Sequence, residues 1–567
     1  MSGVGEPPPG TLPAAFQASA RRVPERVALR GPGDSFNITW ADYAAAVGRA
    51  AGSLAGLGVG RGDRVAFLSG NRPELAVAEL AAMHLGAAGV ALYTTSPPAT
   101  IEHVLADSKP TVLLVEPAVE SRLAEIRHSV PNLFSLDAGA SGLEGLASIA
   151  PPADFDFEAS WTAVAPEDLA ALIYTSGTTG PAKGVEWTHR AAVGSLSGFD
   201  EACGEGDGIH DVCFAPFASL AERFGGHWHA LLRGSSRTIC EDPTQLGAAL
   251  LDARPTRLGG PPQLWQRLKR GLEATLDPEE RAVLGRAVER FGALTRAEVP
   301  EPLTDSEEET LAALRARLGL DRIALAGSTA AACPLGVHQH YNGLGVPFRE
   351  FFAMTEAGVI AAQRSGPGDF GTLGPAVPGY ELQIASDGEV LVRSPHAPQS
   401  YRDRSRESAE TYGADDWIHT GDVGELDSEG RLRLIDRKKE MIVPGHGHNV
   451  SPTRIESVLK DACPLVAQVC VVGDGLPYLG ALVVLDPPEG AGDAEACATV
   501  AAAIAAVNAD SEPRERIEAH AIVAEAWLPG AELTETLKLR RRWIAEKYAA
   551  EIEGLYGRAQ RASSRLP

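Results

Sequence analysis

A run of hydroxyls and glycines closed by a lysine, YTSGTTGPAKGVEWTH at 174–189, is the stretch of this sequence best suited to chemistry. Thr175, Ser176, Thr178 and Thr179 offer side-chain donors. Gly177 and Gly180 let backbone N–H groups converge, and Lys183 brings charge, a set that suits the oxygens of a polyphosphate. The spacing departs from the common nucleotide loop G-x-x-x-x-G-K-[ST], because Gly184 follows Lys183. Taken alone, the same run also reads as a surface connection that binds nothing. Other reactive side chains have ordinary readings too. Thr355 and Glu356 in FFAMTEAG suit the start of a helix. Asp422 in WIHTGDVGEL suits a turn. Arg437 sits in an RKK cluster, and Lys538 lies beside the basic residues 540–542. Glu222 and Arg223 read first as a structural ion pair. His446 and His448 in PGHGHN lack a third ligand nearby and read as loop residues, not a metal site.

The elements that would carry these residues follow from hydropathy patterning. An apolar run at 169–174 leads into the loop as a buried strand, 185–187 leads out, and Thr188 suits the N-cap of the next helix. Upstream, helix signals at 14–22, 40–57, 73–85 and 98–107 alternate with strand signals at 27–30, 64–68, 89–93 and 110–115. Such alternation indicates α/β layers around a largely parallel sheet. Downstream, a strand ends near Pro216 before a helix of small residues. Residues 272–318 read as a solvated helical excursion. Strands are expected at 322–325 and 346–353, and the small residues 327–332 between them suit a pocket wall. Residues 366–430 alternate in the β manner and suit an antiparallel, barrel-like subdomain. From Arg437 the character becomes compact α+β, with a helix at 451–459 and strands at 466–472 and 480–485. The expected division is therefore 1–435, a large N-terminal domain, and 436–567, a small mobile domain, with a hinge at Asp436.

Composition bounds the function. The chain has 567 residues, 44% hydrophobic and 22% charged, as in globular proteins, and a net charge of -24. That acidity argues against nonspecific nucleic-acid binding. Seven cysteines without a CxxC pair favour free thiols in a reducing, cytoplasmic setting. The most apolar stretch, 75–93, is interrupted by Glu79, His84 and Gly86 and reads as core helix plus strand, not a membrane span. Oligomeric state is not legible.

The set of motifs resembles the adenylate-forming superfamily of acyl-CoA synthetases, peptide-synthetase adenylation domains and luciferases, with a flavour of the long-chain acyl-CoA synthetases. The likeness runs from about Leu12 to Trp543. It implies ATP-dependent conversion of a carboxylic acid, fatty or aryl, to acyl-AMP with release of pyrophosphate, and then transfer to CoA. It further implies that Ser176–Lys183 hold the phosphates and that Thr355 touches the α-phosphate. Glu356 would hold Mg²⁺, Phe352 would stack on adenine, and Asp422 would take the ribose hydroxyls. Arg437 would contact ribose and phosphate, and Lys538 would reach the α-phosphate and the attacking carboxylate. The small domain would rotate about Asp436 between the two steps. Four positions depart from the pattern. Ala182 replaces Pro, Phe352-Ala353 replaces Tyr-Gly, Ser219 replaces a His, and His446 stands where a Gly-Gly loop lets pantetheine pass. The last departure motivates alternatives to CoA as acceptor, either an amine or a carrier protein. It also motivates an ATP-dependent activation of nitrite that diazotises an aromatic amine. A nucleotide-binding scaffold without catalysis is a third reading.

Overall fold

Strands buried on both faces require helices on each side, and the chain supplies them by alternating the two. In the computed structural model, residues 10–563 are described apart from 124–125, 127–128, 137–145, 147, 176–180, 414, 446–449 and 535–537. A six-stranded sheet runs in the order Asn132–Ser135, Val112–Val115, Arg64–Leu68, Ala88–Leu92, Leu169–Thr175, Lys183–Thr188. Its first five strands are parallel and the last is antiparallel. The helix Pro73–His84 is buried along its whole length against this sheet. Thr188 caps the helix His189–Cys203 by accepting from Ala191 N, as the sequence predicts.

Two further sheets complete the α/β layers. Asn37–Thr39, Val27–Arg30, Ser236–Ile239 and His210–Cys213 form one; Arg257–Gly260, Leu325–Ser328, Phe348–Met354 and Gly358–Ala362 form the other. An antiparallel sheet of Glu381–Ile384, Glu389–Arg393, Ile418–Leu426 and Leu432–Arg437 provides the barrel-like subdomain. A three-stranded sheet, Val466–Val472, Leu479–Leu485 and Ile517–Val523, belongs to the small domain. The buried apolar clusters do not cross the expected division. The largest runs from Leu12 to Leu432, while the two C-terminal clusters begin at Ile442 and Cys470.

Several expectations are corrected. The segment 272–318 is helical, as expected, but it is not wholly solvated. It forms two helices, Pro278–Thr295 and Asp305–Arg317, each opened by a capping box, Asp277 with Glu280 and Thr304 with Glu307. Their inner residues Val283, Leu284, Phe291 and Leu314 are buried, and all but Phe291 join a second core around Trp265 and Tyr341. The strand expected near 322 begins at Leu325, and the strand before Pro216 ends at Cys213. Residues Ala221–Trp228 wind as a π-helix. Glu222 and Arg223 do not pair with each other, because adjacent helical positions point apart. Glu222 instead bonds Arg237, and Arg223 lies 2.9 Å from Glu79, both pairs buried. All seven cysteines are free. Among the described residues no helix is long and apolar enough to cross a membrane.

Candidate active site

The hairpin Leu169–Thr175/Lys183–Thr188 sets the base of the site. Thr175 pairs with Lys183, so the intervening loop leaves and returns at one point. The loop residues Ser176, Gly177, Thr178, Thr179 and Gly180 lie outside the described residues, as does His446. Gly184 is required by packing: a Cβ there would meet the Tyr174 ring at 2.8 Å. The Lys183 ammonium lies 5.0 Å from the centre of the Tyr401 ring.

Thr355 and Glu356 are not at a helix start, the ordinary reading of their motif. They occupy the turn of a β-hairpin between Phe348–Met354 and Gly358–Ala362, closed by Ala357 N donating to Met354 O. Buried groups bolt this turn. Trp187 Nε1 donates to the Thr355 carbonyl at 3.0 Å, and the Tyr380 hydroxyl donates to the Ala357 carbonyl at 2.6 Å. Gly358 has φ +82° and a Cβ there would strike Ser195 Oγ, so the turn closes at a glycine. Phe352 is 6% exposed at the edge of the main core.

Asp422 lies on Ile418–Leu426 opposite Arg437 on the neighbouring strand. Arg437 Nε sits 2.8 Å from Asp422 Oδ1. The other oxygen, Oδ2, is buried with no hydrogen-bond partner among the described residues. Burial pushes this carboxyl up to about 6, helped by the negative Asp436 and Glu356 and opposed by Arg437 and Lys538. A buried, half-satisfied carboxylate is costly and is suited to accept hydroxyls from a ligand.

Lys538 arrives from the small domain. Its N–H donates to Thr534 Oγ1 at 3.0 Å, and its carbonyl accepts from Thr534 N at 2.8 Å. The residue as a whole is exposed, but its ammonium end lies among the charged groups of the cleft. Loss of solvation there lowers its pKa, Arg437 lowers it further, and Asp422, Glu440 and Glu356 act in the opposite sense. The basic run that obscured its register is resolved by partners. Arg540 bonds the carbonyls of Gly530 and Ala531, Arg541 grips Glu456, and Arg542 pairs with Glu546. Lys538 is the one left facing the acids of the cleft.

Lys183, Glu356, Asp422, Arg437 and Lys538 thus converge, although they come from three sheets and a loop. No cluster of three or more His, Cys, Asp or Glu occurs among the described residues, so Glu356, the carboxylate expected to hold a metal, would do so without a set of other such ligands. One Glu356 oxygen accepts from the Tyr401 hydroxyl at 2.9 Å, and the other carries no hydrogen bond among the described residues. A single open carboxylate fits Mg²⁺ shared with substrate phosphates. Sequence reasoning missed Tyr401 and Tyr380, which no motif or spacing marks, and gave Trp187, inside the opening motif, no role beyond the strand that leaves the loop. It expected small residues at 327–332 to line a pocket, and there Ala330 is held at φ +76°, a strained value for a residue with a Cβ.

The sequence pattern of the AMP-binding enzyme family matches residues 16–401, and that of the AMP-binding enzyme C-terminal domain matches 439–560. The chain is 38% identical over 449 residues to fadD11 of Mycobacterium tuberculosis (strain CDC 1551 / Oshkosh), named as a fatty-acid–CoA ligase. That alignment covers 74% of this chain and 79% of the relative. It is 31% identical over 575 residues to the long-chain-fatty-acid–CoA ligase FadD15 of Mycobacterium bovis, covering 92% of each. Among solved structures, the anthranilate CoA ligase AuaEII in complex with anthranoyl-AMP is similar, with TM-score 0.74 at 21% identity over 96% of this chain and 99% of that one.

Proposed function

As a member of the AMP-binding, adenylate-forming enzyme family this chain is an AMP-forming acid–CoA ligase, and we propose that its acid is a fatty or aryl-chain carboxylic acid. The names of fadD11 and FadD15 support the fatty arm, and that of AuaEII the aryl arm. The observation that carries the site assignment is Asp422 Oδ2, a buried acceptor beside Arg437 with no partner among the described residues and within reach of the field of Lys538. It suits the ribose hydroxyls of ATP.

In this reading Ser176–Gly180 and Lys183 grip the β- and γ-phosphates. Thr355, on its bolted turn, meets the α-phosphate. Phe352 floors the base pocket, and Arg437 bridges ribose and phosphate. Mg²⁺ held by Glu356 supplies neutralising charge to the phosphates when bound. Lys538 orients the acid carboxylate in line with the α-phosphorus and offsets the charge that builds there. Bond formation to the carboxylate oxygen and departure of pyrophosphate give acyl-AMP. CoA thiolate then attacks the acyl carbon and AMP leaves.

Between the steps the domain 436–567 turns about Asp436, a hinge motion that withdraws Lys538. Separate apolar cores on either side support this division. A pyrophosphate-release screen tests the substrate assignment. Fatty and aryl acids are supplied with Mg-ATP, each with and without CoA. Acid-dependent pyrophosphate followed by CoA-dependent loss of free thiol is the expected result. Release that requires nitrite and an aromatic amine, with no acid active, would overturn it in favour of diazotisation, and acyl transfer to an amine or carrier protein in place of CoA would overturn the acceptor.

A further inference from the structure

Tyr401 stands outside every motif, yet it touches both halves of the proposed phosphate and metal site. Its backbone is clamped to the strand that leaves the phosphate loop. Glu186 N donates to Ser400 O, Arg402 N donates to Gly184 O, and Tyr401 forms an antiparallel bridge with Val185. Its own N–H donates to Ser408 Oγ at 2.9 Å. The side chain is 6% exposed. Its ring lies beneath the Lys183 ammonium, 5.0 Å to the centroid, and its hydroxyl donates to Glu356 Oε1 at 2.9 Å. Thr411 Oγ1 contacts the same hydroxyl at 3.4 Å, and the Tyr412 ring stands 5.6 Å away.

We infer that Tyr401 is a positioning residue that pre-sets the Glu356 carboxylate for the nucleotide's metal ion and seats Lys183 for its phosphates. The inference rests on the proposed role of Glu356 as the metal carboxylate. A carboxylate tied at one oxygen has already lost the rotation that binding would otherwise cost, and its second oxygen is left to bind. An ammonium over an aromatic face is held without a competing carboxylate that would cancel its charge. The residue therefore couples two elements, the hairpin that carries Lys183 and the turn that carries Glu356. It acts through both and touches neither reacting atom.

The test measures how much Mn²⁺ tightens binding of α,β-methylene-ATP, by titration calorimetry with and without the metal. No turnover is involved. Tyr401→Phe keeps the ring and loses the hydroxyl. It should reduce the metal-induced tightening about tenfold, the low end for groups that orient a metal ligand, with metal-free nucleotide affinity unchanged. Tyr401→Leu also removes the ring and should weaken metal-free binding as well. Tyr412→Phe, which removes a nearby buried hydroxyl that has no partner among the described residues, should behave as wild type. An undiminished metal effect in Tyr401→Phe, or an equal loss in Tyr412→Phe, overturns the inference. Glu356→Gln separates this from its premise. If that variant keeps the full metal effect, Glu356 is not the metal carboxylate and the premise fails. If it loses the effect while Tyr401→Phe retains it, only the role of Tyr401 fails.

Discussion

The 355–357 turn and the loop that presents Lys538 face the same cleft, and they are held in contrasting ways. The turn is fixed from behind by Trp187 and Tyr380, both donors to its carbonyls, and by a glycine hairpin closure. The Lys538 loop is tied to its own flanks, through Thr534 on one side and Glu532 accepting from Arg540 N on the other. Among the described residues no hydrogen bond or salt bridge fastens the Lys538 side chain to the large domain; the charges of Asp422 and Glu356 draw it there. On the proposed reading, one half of the site is preorganised and the other is detachable. Asp436 stands between them. Its backbone pairs with Val423 in the large domain's sheet, while its carboxylate accepts from Ser451 Oγ, Thr453 N and Thr453 Oγ1 of the small domain. A residue so divided suits a pivot, because the carboxylate can travel with the small domain while the strand stays.

That contrast can be broken at the fixed half first. Glu356→Ala should lower acid-dependent pyrophosphate release on the order of 100- to 1,000-fold, as loss of a preorganised electrostatic group does. A coupled pyrophosphate assay at saturating Mg²⁺ checks it, and a loss below about tenfold would place the metal elsewhere.

Asp422→Asn should have a smaller effect on function and an inverse effect on stability. Replacing a charged acceptor of hydroxyls with a neutral one weakens ATP by about tenfold, or ~1.4 kcal/mol. The folded carboxyl is raised to about 6, above its ordinary value near 4. The folded protein therefore binds this proton more tightly than the unfolded chain, and ionisation costs stability above about pH 6. Asp422→Asn escapes that cost. It should melt higher than wild type at pH 8, with the gap narrowing as pH falls from about 6 to about 4 and gone below that. Wild-type ATP affinity should fall as pH drops through about 6, and the Asn variant should lack that dependence.

Trp187→Phe sharpens the comparison with the least change. It leaves the Thr355 carbonyl without its buried donor, which costs about 1–3 kcal/mol. Urea denaturation should show the loss. An unchanged midpoint would mean that the turn is held by its hairpin bonds alone.

Much of this was legible in the sequence because the elements obey simple periodicities. The strand Arg64–Leu68 and the helix cap at Thr188 fall where alternation and capping chemistry put them. The helices at 278–317 were misjudged because their exposed faces are densely charged, and charge hides a narrow apolar stripe that pairing with Leu335–Gly343 completes. Candidate site residues inside motifs could be singled out because a phosphate, a ribose and a metal each demand a particular functional group. Tyr401 and Trp187 were missed because they act through a carboxylate and a carbonyl. Their value depends on distances between segments more than 40 residues apart in sequence, Tyr401 to Glu356 and Trp187 to Thr355. Glu222 and Arg223 were paired wrongly for the same reason, since their partners Arg237 and Glu79 are set by packing. The identity of Lys538 within a basic run became decidable once the neighbouring arginines were seen to be occupied elsewhere.

The most direct test of a fixed half and a detachable half is single-turnover analysis of Lys538→Ala in the two half-reactions. Adenylate formation from acid and Mg-ATP should fall on the order of 100- to 1,000-fold, while thioester formation from preformed acyl-AMP and CoA should keep its wild-type rate. Equal loss in both half-reactions, or loss in neither, would contradict a lysine that serves the first step and then withdraws.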